Sequence, residues 1–282
     1  MNTNKHEYPK IAADARRCTP ISYFLFPIRV YLRSSAATFR ILVFIRVHSW
    51  LRRLLVASIA LATALSAATV HGRVEIVSSK DPGVRKHSDF SGVVVWLDPV
   101  SGALPLPQPR KAEMMQRGKR FTPHVLAITV GSTVDFPNYD PIFHNAFSNY
   151  DGQVFDVGLY PPGTTRSVPF RKEGIVRIFC DIHPTMSAII VVLRSPYYGV
   201  SASNGEFSIA NVPPGAYRLH VFHERATQQT LNELTRTVDV NGADVALGNL
   251  TVSESGYLLI PHKNKYGKDY PPAAGTYSGS KP

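Results

Sequence analysis

The sequence predicts an all-β protein: a leader, then two successive β-sandwiches. Three observations carry this. Short alternating or wholly apolar runs are punctuated by Gly, Pro, Asn and Asp about every eight to twelve residues, the rhythm of sandwich strands and their turns. Helical periodicity, with apolar residues three and four apart, is nearly absent. From Ser195 the texture changes to a second set of strands long enough for a small sandwich of its own. With 282 residues, the chain has material for one large core or two ordinary ones.

The leader comes first. Residues 1–68 carry ten Lys/Arg and two acids, leaving 21 basic and 18 acidic residues for the rest of the chain. The net charge of +11 therefore belongs mostly to the leader, and a nucleic-acid partner is not indicated. Arg52 and Arg53 are followed by an uncharged run, Leu54 to Ala68, that ends in small residues. This is the order of a secretory signal, and the run is shorter than the ~20 residues of a membrane span. Cleavage is expected after Ala68, with Ala64 and Ala67 as alternatives, giving an exported, periplasmic chain without a stable membrane span. A translation start at Val47 would give the signal an ordinary length, and a leader kept as an anchor is the competing reading. Export permits disulfides. Yet the two cysteines are Cys18, in the leader, and Cys180, so the mature chain holds one thiol that must be buried or occupied.

The mature strands follow in order. "GRVEIVSS" and "SGVVVWLD" lie on either side of the turn-rich "KDPGVRKHSDF". The Pro-rich and basic connection "SGALPLPQPRKAEMMQRGKR" is expected to hold one helical turn around Ala112–Gln116, and residues 69–119 are read as N-terminal strands and linker. "HVLAITV", "TVDFPN", the loop "YDPIFHNAF", "GLYPPGTTRSVPF", "IVRIFC" and "SAIIVVLR" fill a core spanning residues 120–194. "GEFSIANVPPGAYRLHVFHE" and "RTVDVNGADVALGNLTV" then make two hairpins within residues 195–256. Residues 257–282 are polar and rich in Pro and Gly, the composition of a flexible or draped tail.

The chemistry concentrates in "RIFCDIHPTM", residues 177–186. On a regular strand, residues three apart face opposite ways, so Cys180 and His183 converge only if the strand stops at the cysteine. Pro184 favours such an irregular path. Met186 then reaches the same centre from the far side of the loop. His144, in the loop "DPIFHNAF" some 36 residues upstream, is the best further nitrogen donor. Two imidazoles, one thiolate and a weak thioether are the ligand set of blue-copper electron-transfer sites. Each residue alone has a plainer reading: a buried core thiol, a core methionine, a solvated histidine. Zinc is disfavoured because closed zinc sites take more thiolates or a third strong donor. His220 and His223 sit three apart on a strand and diverge, and His124 reads as a hydrogen-bonded structural residue. Met114 and Met115 fall short of a methionine-rich copper carrier. A Cys–His thiol hydrolase would need Cys180 activated by a histidine with a third orienting group, but the two local residues are better explained as co-ligands and no separate oxyanion motif stands out.

The segments "VGSTVDFPNYDPIFHN" (131–145) and "GIVRIFCDIHPTM" (174–186) resemble the cupredoxins, most closely the plastocyanin/amicyanin branch. The Cys-x₂-His-x₂-Met interval is similar to the short ligand loop of amicyanins. The resemblance implies a Greek-key β-sandwich holding one type-1 copper through His144, Cys180, His183 and Met186. It also implies that the backbone N–H of Asn145 bonds the thiolate, and that the edge of His183 is an electron port beside apolar neighbours such as Pro184. "KRFTPHVLAITVG", "FDVGLYPPGTTRSVPF" and "HKNKYGKDY" are similar to bacterial cupredoxin-like proteins labelled methylamine utilisation proteins. "SNGEFSIANVPPGAYRLHVFHE" resembles the carboxypeptidase regulatory-like, transthyretin-type sandwich.

The expectation is a periplasmic one-electron carrier without catalytic residues of its own, working with a redox protein such as a cytochrome or a dehydrogenase. Two alternatives stay open. One is a copper-binding or delivery protein; the other is an envelope-binding module on a cupredoxin scaffold.

Overall fold

The computed structural model describes residues 67–149, 152–258 and 261–271. The leader up to residue 66, with Cys18 and nearly all of the expected signal segment, lies outside the described residues. No helix among the described residues is long and apolar enough to cross a membrane.

The strands in chain order are β1 (Ala68–Val77), β2 (Val94–Pro99), β3 (Lys111–Glu113), β4 (Met115–Gln116), β5 (Phe121–Thr122), β6 (Val125–Thr129), β7 (Thr133–Pro137), β8 (Phe147–Ser148) and β9 (Phe155–Asp156). They continue with β10 (Thr165–Pro169), β11 (Gly174–Phe179), β12 (Ser187–Leu193), β13 (Tyr198–Val200), β14 (Glu206–Val212), β15 (Gly215–Phe222), β16 (Arg236–Val240) and β17 (Val245–Ser253). Two short helices interrupt them, α1 (Pro82–His87) and α2 (Gln228–Leu234). The Asp81 carboxylate caps α1 by accepting from the N–H groups of Gly83 and Val84, and the Thr227 hydroxyl caps α2 by accepting from Thr230 N–H. The fold is thus all-β, as predicted.

The helical turn expected around Ala112–Gln116 is absent, because this stretch is extended. Ala112 pairs with Val134 of β7, and Met114 and Gln116 are buried while Lys111 and Glu113 are exposed. The Ala/Glu/Met/Gln composition favours helix, but burial on every second residue prevails over local propensity. Met114 is a core side chain of the first sandwich.

Of the five sheets among the described residues, four build two sandwiches and the fifth is the two-stranded β4-β5. The order β10-β7-β3 faces β6-β12-β11-β8-β9, with β3–β7 and β6–β12 parallel; this is the first sandwich. Its core includes Phe136, Phe170, Ile178, Met186 and Ile190. The second sandwich pairs the sheet β13-β2-β15-β16 with β14-β1-β17 around Val74, Val95, Leu97, Phe207 and Leu219. The strands of residues 68–99, read as an N-terminal segment, are thus central members of the sheets formed by residues 198–253.

A third apolar layer joins the two sandwiches: Val94 and Phe222 on one side meet Val125, Ala127, Ile189, Val191 and Leu193 on the other. This explains why "AIIVVL" is an unbroken apolar run. Ala188, Ile190 and Val192 of β12 face the first core, and Ile189, Val191 and Leu193 face the second sandwich. A strand buried on both faces needs no polar alternation.

Candidate metal centre

Strand β11 ends at Phe179, whose partner across the ladder is Ser187, so residues 180–186 form the loop between β11 and β12. The loop is closed tightly. Cys180 N–H donates to the Met186 carbonyl at 3.1 Å, and Met186 N–H donates to the His183 carbonyl at 3.0 Å. The curl lets residues three apart converge, and the Cys180 Sγ lies 3.5 Å from His183 Nδ1. Cys180 is fully buried in the first core beside Met186.

His144 comes from the other side. Its backbone is held by a two-way bridge to Tyr160, N–H to carbonyl at 3.2 and 2.9 Å, and its ring is fully buried. Asn138 shapes the intervening loop: its Nδ2 donates to the Ile142 carbonyl and its Oδ1 accepts from Asp140 N–H. His144 Nδ1 then sits 3.9 Å from Cys180 Sγ, and the two imidazole centroids are 4.9 Å apart. One donor atom from each of His144, Cys180 and His183 lies within 4.8 Å of the others.

Asp140 is the functional residue that sequence reasoning missed. Its Oδ2 lies 2.7 Å from His144 Nε2. A carboxylate only accepts, so Nε2 carries the proton and Nδ1 presents a bare lone pair to the cluster. The carboxylate is itself anchored by the N–H groups of Gly118 and Lys119, at 2.6 and 2.8 Å. Burial pushes the Asp140 carboxyl up, but the bonds from Lys119, His144 and Gly118 outweigh it and hold its pKa below the ordinary carboxylate value. The available signal was the acid four residues before the histidine in "DPIFH".

The sulfur is surrounded by donors as well. Burial pushes the Cys180 thiol pKa up, while backbone N–H groups of Ile182, Asn145 and His183 oppose the rise by favouring the thiolate. The Asn145 side-chain Nδ2 donates to Asp156 at 2.6 Å. Burial, together with the nearby His144 and Lys119, lowers the His183 pKa, so its imidazole is neutral near pH 7 and free to ligate. A buried set of two imidazoles and a sulfur, open to solvent only along the partly exposed His183, fits a borderline-soft transition metal better than a hard cation. Met186 shares the buried core with Cys180 and its backbone closes the loop.

The other candidates have plainer places. His124 Nε2 meets Glu224 at 2.9 Å and its Nδ1 meets the Ser187 carbonyl at 3.1 Å, a structural role. His220 stacks on Trp96, whereas His223 is buried against Glu254, so the two do diverge.

No family profile matches the chain. Over 60 residues it is 38% identical to the methylamine utilization protein MauL of Methylorubrum extorquens AM1, a stretch covering 21% of this chain and 53% of that protein. The chain thus spans about half the length of the curated relative it matches. Among solved structures, it is similar to a purple cupredoxin from Nitrosopumilus maritimus, at 26% identity over 29% of this chain and 99% of that one, with a TM-score of 0.27. An oxidized amicyanin mutant matches at 19% identity over 29% and 81% of the two chains, TM-score 0.28. The copper-containing nitrite reductase of Thermus scotoductus matches at 26% identity over 43% and 28%, TM-score 0.29.

Proposed function

We propose that the first sandwich binds one copper ion in a type-1 site and that the protein carries single electrons between redox partners. The observation that carries this is the convergence of His144 Nδ1, Cys180 Sγ and His183 Nδ1 in a buried cluster. Bound copper would supply a one-electron Cu(I)/Cu(II) couple. The residues would divide the work: Cys180 as the strong thiolate donor, His144 and His183 as equatorial imidazoles, and Met186 as the weak axial thioether. Asp140 fixes the His144 tautomer, and the N–H of Asn145 steadies the charge on sulfur. All donors are held by a rigid sandwich, so little would have to move when the charge changes.

The port would be His183, the partly exposed member of the cluster. Exposed Tyr139, Phe143, Leu159 and Ile182 belong to the loops that carry the ligands or hold them in place, an apolar setting suited to brief docking of a redox protein. The name of the matched relative supports a setting in methylamine utilisation; a dehydrogenase or a cytochrome is the partner we infer. We further infer export, with the leader removed. Cleavage after Ala67 would leave β1 whole, since Ala68 is buried and pairs with Val212.

Copper loading of the purified protein, followed by visible spectroscopy and voltammetry, tests this reading. An intense thiolate-to-copper band with a reversible couple supports it. Colourless, exchangeable Cu(I) would instead assign copper delivery, and no metal uptake would leave the fold as scaffold only.

A further inference from the structure

Residues 261–271 do not drift away from the molecule. They fold into a compact turn, in which the Asn264 side chain accepts from the N–H groups of Tyr266 and Lys268 and Lys263 pairs with Asp269. This turn lies against the metal loop. Tyr270 Oη donates to the Cys180 carbonyl at 2.8 Å, and the His262 ring stacks on Phe179 at 4.1 Å between centroids. His262 Nδ1 faces both the Lys263 carbonyl and Tyr270 Oη, so that nitrogen carries the proton and ties Tyr270 in place.

Lys265 adds a second grip. Its N–H donates to Asp181 at 3.1 Å, and its Nζ reaches Asp156 at 2.9 Å. Asp181 follows Cys180 in the chain, while Asp156 holds the side chain of Asn145, the residue after His144. The turn therefore clasps neighbours of two separate donor residues, from positions 84 or more residues further along the chain.

We propose that residues 261–271 are a strap for the metal centre, with Tyr270 and Lys265 as positioning residues that hold Cys180 and Asn145 in ligating geometry. This rests on the copper reading for its consequence, but the clasp itself acts on the apo-protein. Without it, the 180–186 loop opens more often, exposing the thiol and loosening the Asn145 N–H from the sulfur. An N–H donor favours the more electron-rich ligand set of the reduced site, so its loss lowers the potential.

The test uses the full chain with Tyr270→Phe, Lys265→Met and the double variant; Lys111→Met, which breaks an exposed ion pair with Asp135 outside the strap, is the control. Two quantities are read: the alkylation rate of Cys180 in the apo-protein, followed by peptide mass spectrometry, and the reduction potential of the copper-loaded form. Loss of one or two hydrogen bonds should raise the opening equilibrium, and with it the alkylation rate, about tenfold in the double variant. The potential should fall, with Lys111→Met unchanged in both and all thermal midpoints near wild type. Unchanged alkylation and an unchanged potential in a blue protein would overturn the strap. A wild type that takes up no copper would fail the copper reading alone, and the alkylation rates would still decide on the clasp.

Discussion

Two polar clusters, each containing two histidines, lie in the same molecule and differ in where their atoms point. In the first sandwich, His144, His183 and Cys180 aim donor atoms at one another across 3.5 and 3.9 Å, with only the far nitrogen of His144 occupied by a carboxylate. At the junction of the sandwiches, His124 meets Glu224, His223 meets Glu254, and Arg225 bonds both glutamates. Ser79 donates to the remaining oxygen of Glu254 at 2.6 Å. The second cluster satisfies its charges internally, linking β6, the end of β15 and the end of β17. The first leaves lone pairs facing a common point. Ligand sites and ion clamps can share residue types, and convergence without mutual neutralisation separates them.

The comparison breaks first, and with the largest effect on stability, at Glu254. Replacing it with Ala leaves His223 and Arg225 without their buried acceptor, and should cost about 3–5 kcal/mol in denaturant unfolding. The metal spectrum of the folded fraction should not change. A shifted spectrum would mean that the clusters are coupled.

Asp140→Asn is the counterpart in the metal cluster. The amide can present its NH₂ to His144 Nε2, which removes the preference for a bare Nδ1. Copper affinity should fall about 10–100-fold, measured by chelator competition, while the thermal midpoint of the apo-protein moves little. An unchanged affinity would mean that Asp140 only anchors its own loop.

Met186→Leu is smaller still: the colour should stay and the reduction potential should rise, because losing a weak donor to Cu(II) favours Cu(I). A potential that does not move would place the Met186 sulfur outside the axial position.

The smallest effect is a pH dependence of opposite sign at the two clamp histidines. The hydrogen bond to Glu224 raises the His124 pKa, so its contribution is fully present below about pH 6.5 and is lost as pH rises through the raised value. Burial lowers the His223 pKa despite Glu254, so its contribution is present above about pH 6.5 and is lost as pH falls toward the lowered value. His124→Asn should therefore steepen the loss of stability on acidification from pH 7 to 5, and His223→Asn should flatten it. Matching slopes in the two variants would contradict this assignment.

Much of the site was legible because its constraints are local. Cys180, His183 and Met186 sit on one short loop, and Pro184 marks the break in the strand that lets Cys180 and His183 converge. His144 was legible from its place between two apolar runs. What escaped depends on distant pairing. Nothing local shows that "GRVEIVSS" inserts between β14 and β17, since that register is set more than 130 residues away. The strap escaped for a similar reason: "HKNKYGKDY" is polar and poor in aliphatics, and it is held by hydrogen bonds and ring stacking instead of a core. Asp140 was visible as a residue but not as a partner, because the Asn138-centred turn that aims it at His144 is a property of the folded loop.

The central claim is that Cys180 is a copper ligand and not simply a core thiol. Visible absorption of copper-loaded wild type against Cys180→Ser tests it most directly. The wild type should show an intense thiolate-to-copper band, and the serine variant should lose that band and most of its Cu(II) affinity while its far-UV spectrum stays β-rich. A wild type without the band, together with a serine variant that binds copper equally well and loses only roughly 1–3 kcal/mol of stability from its buried hydroxyl, would contradict the account.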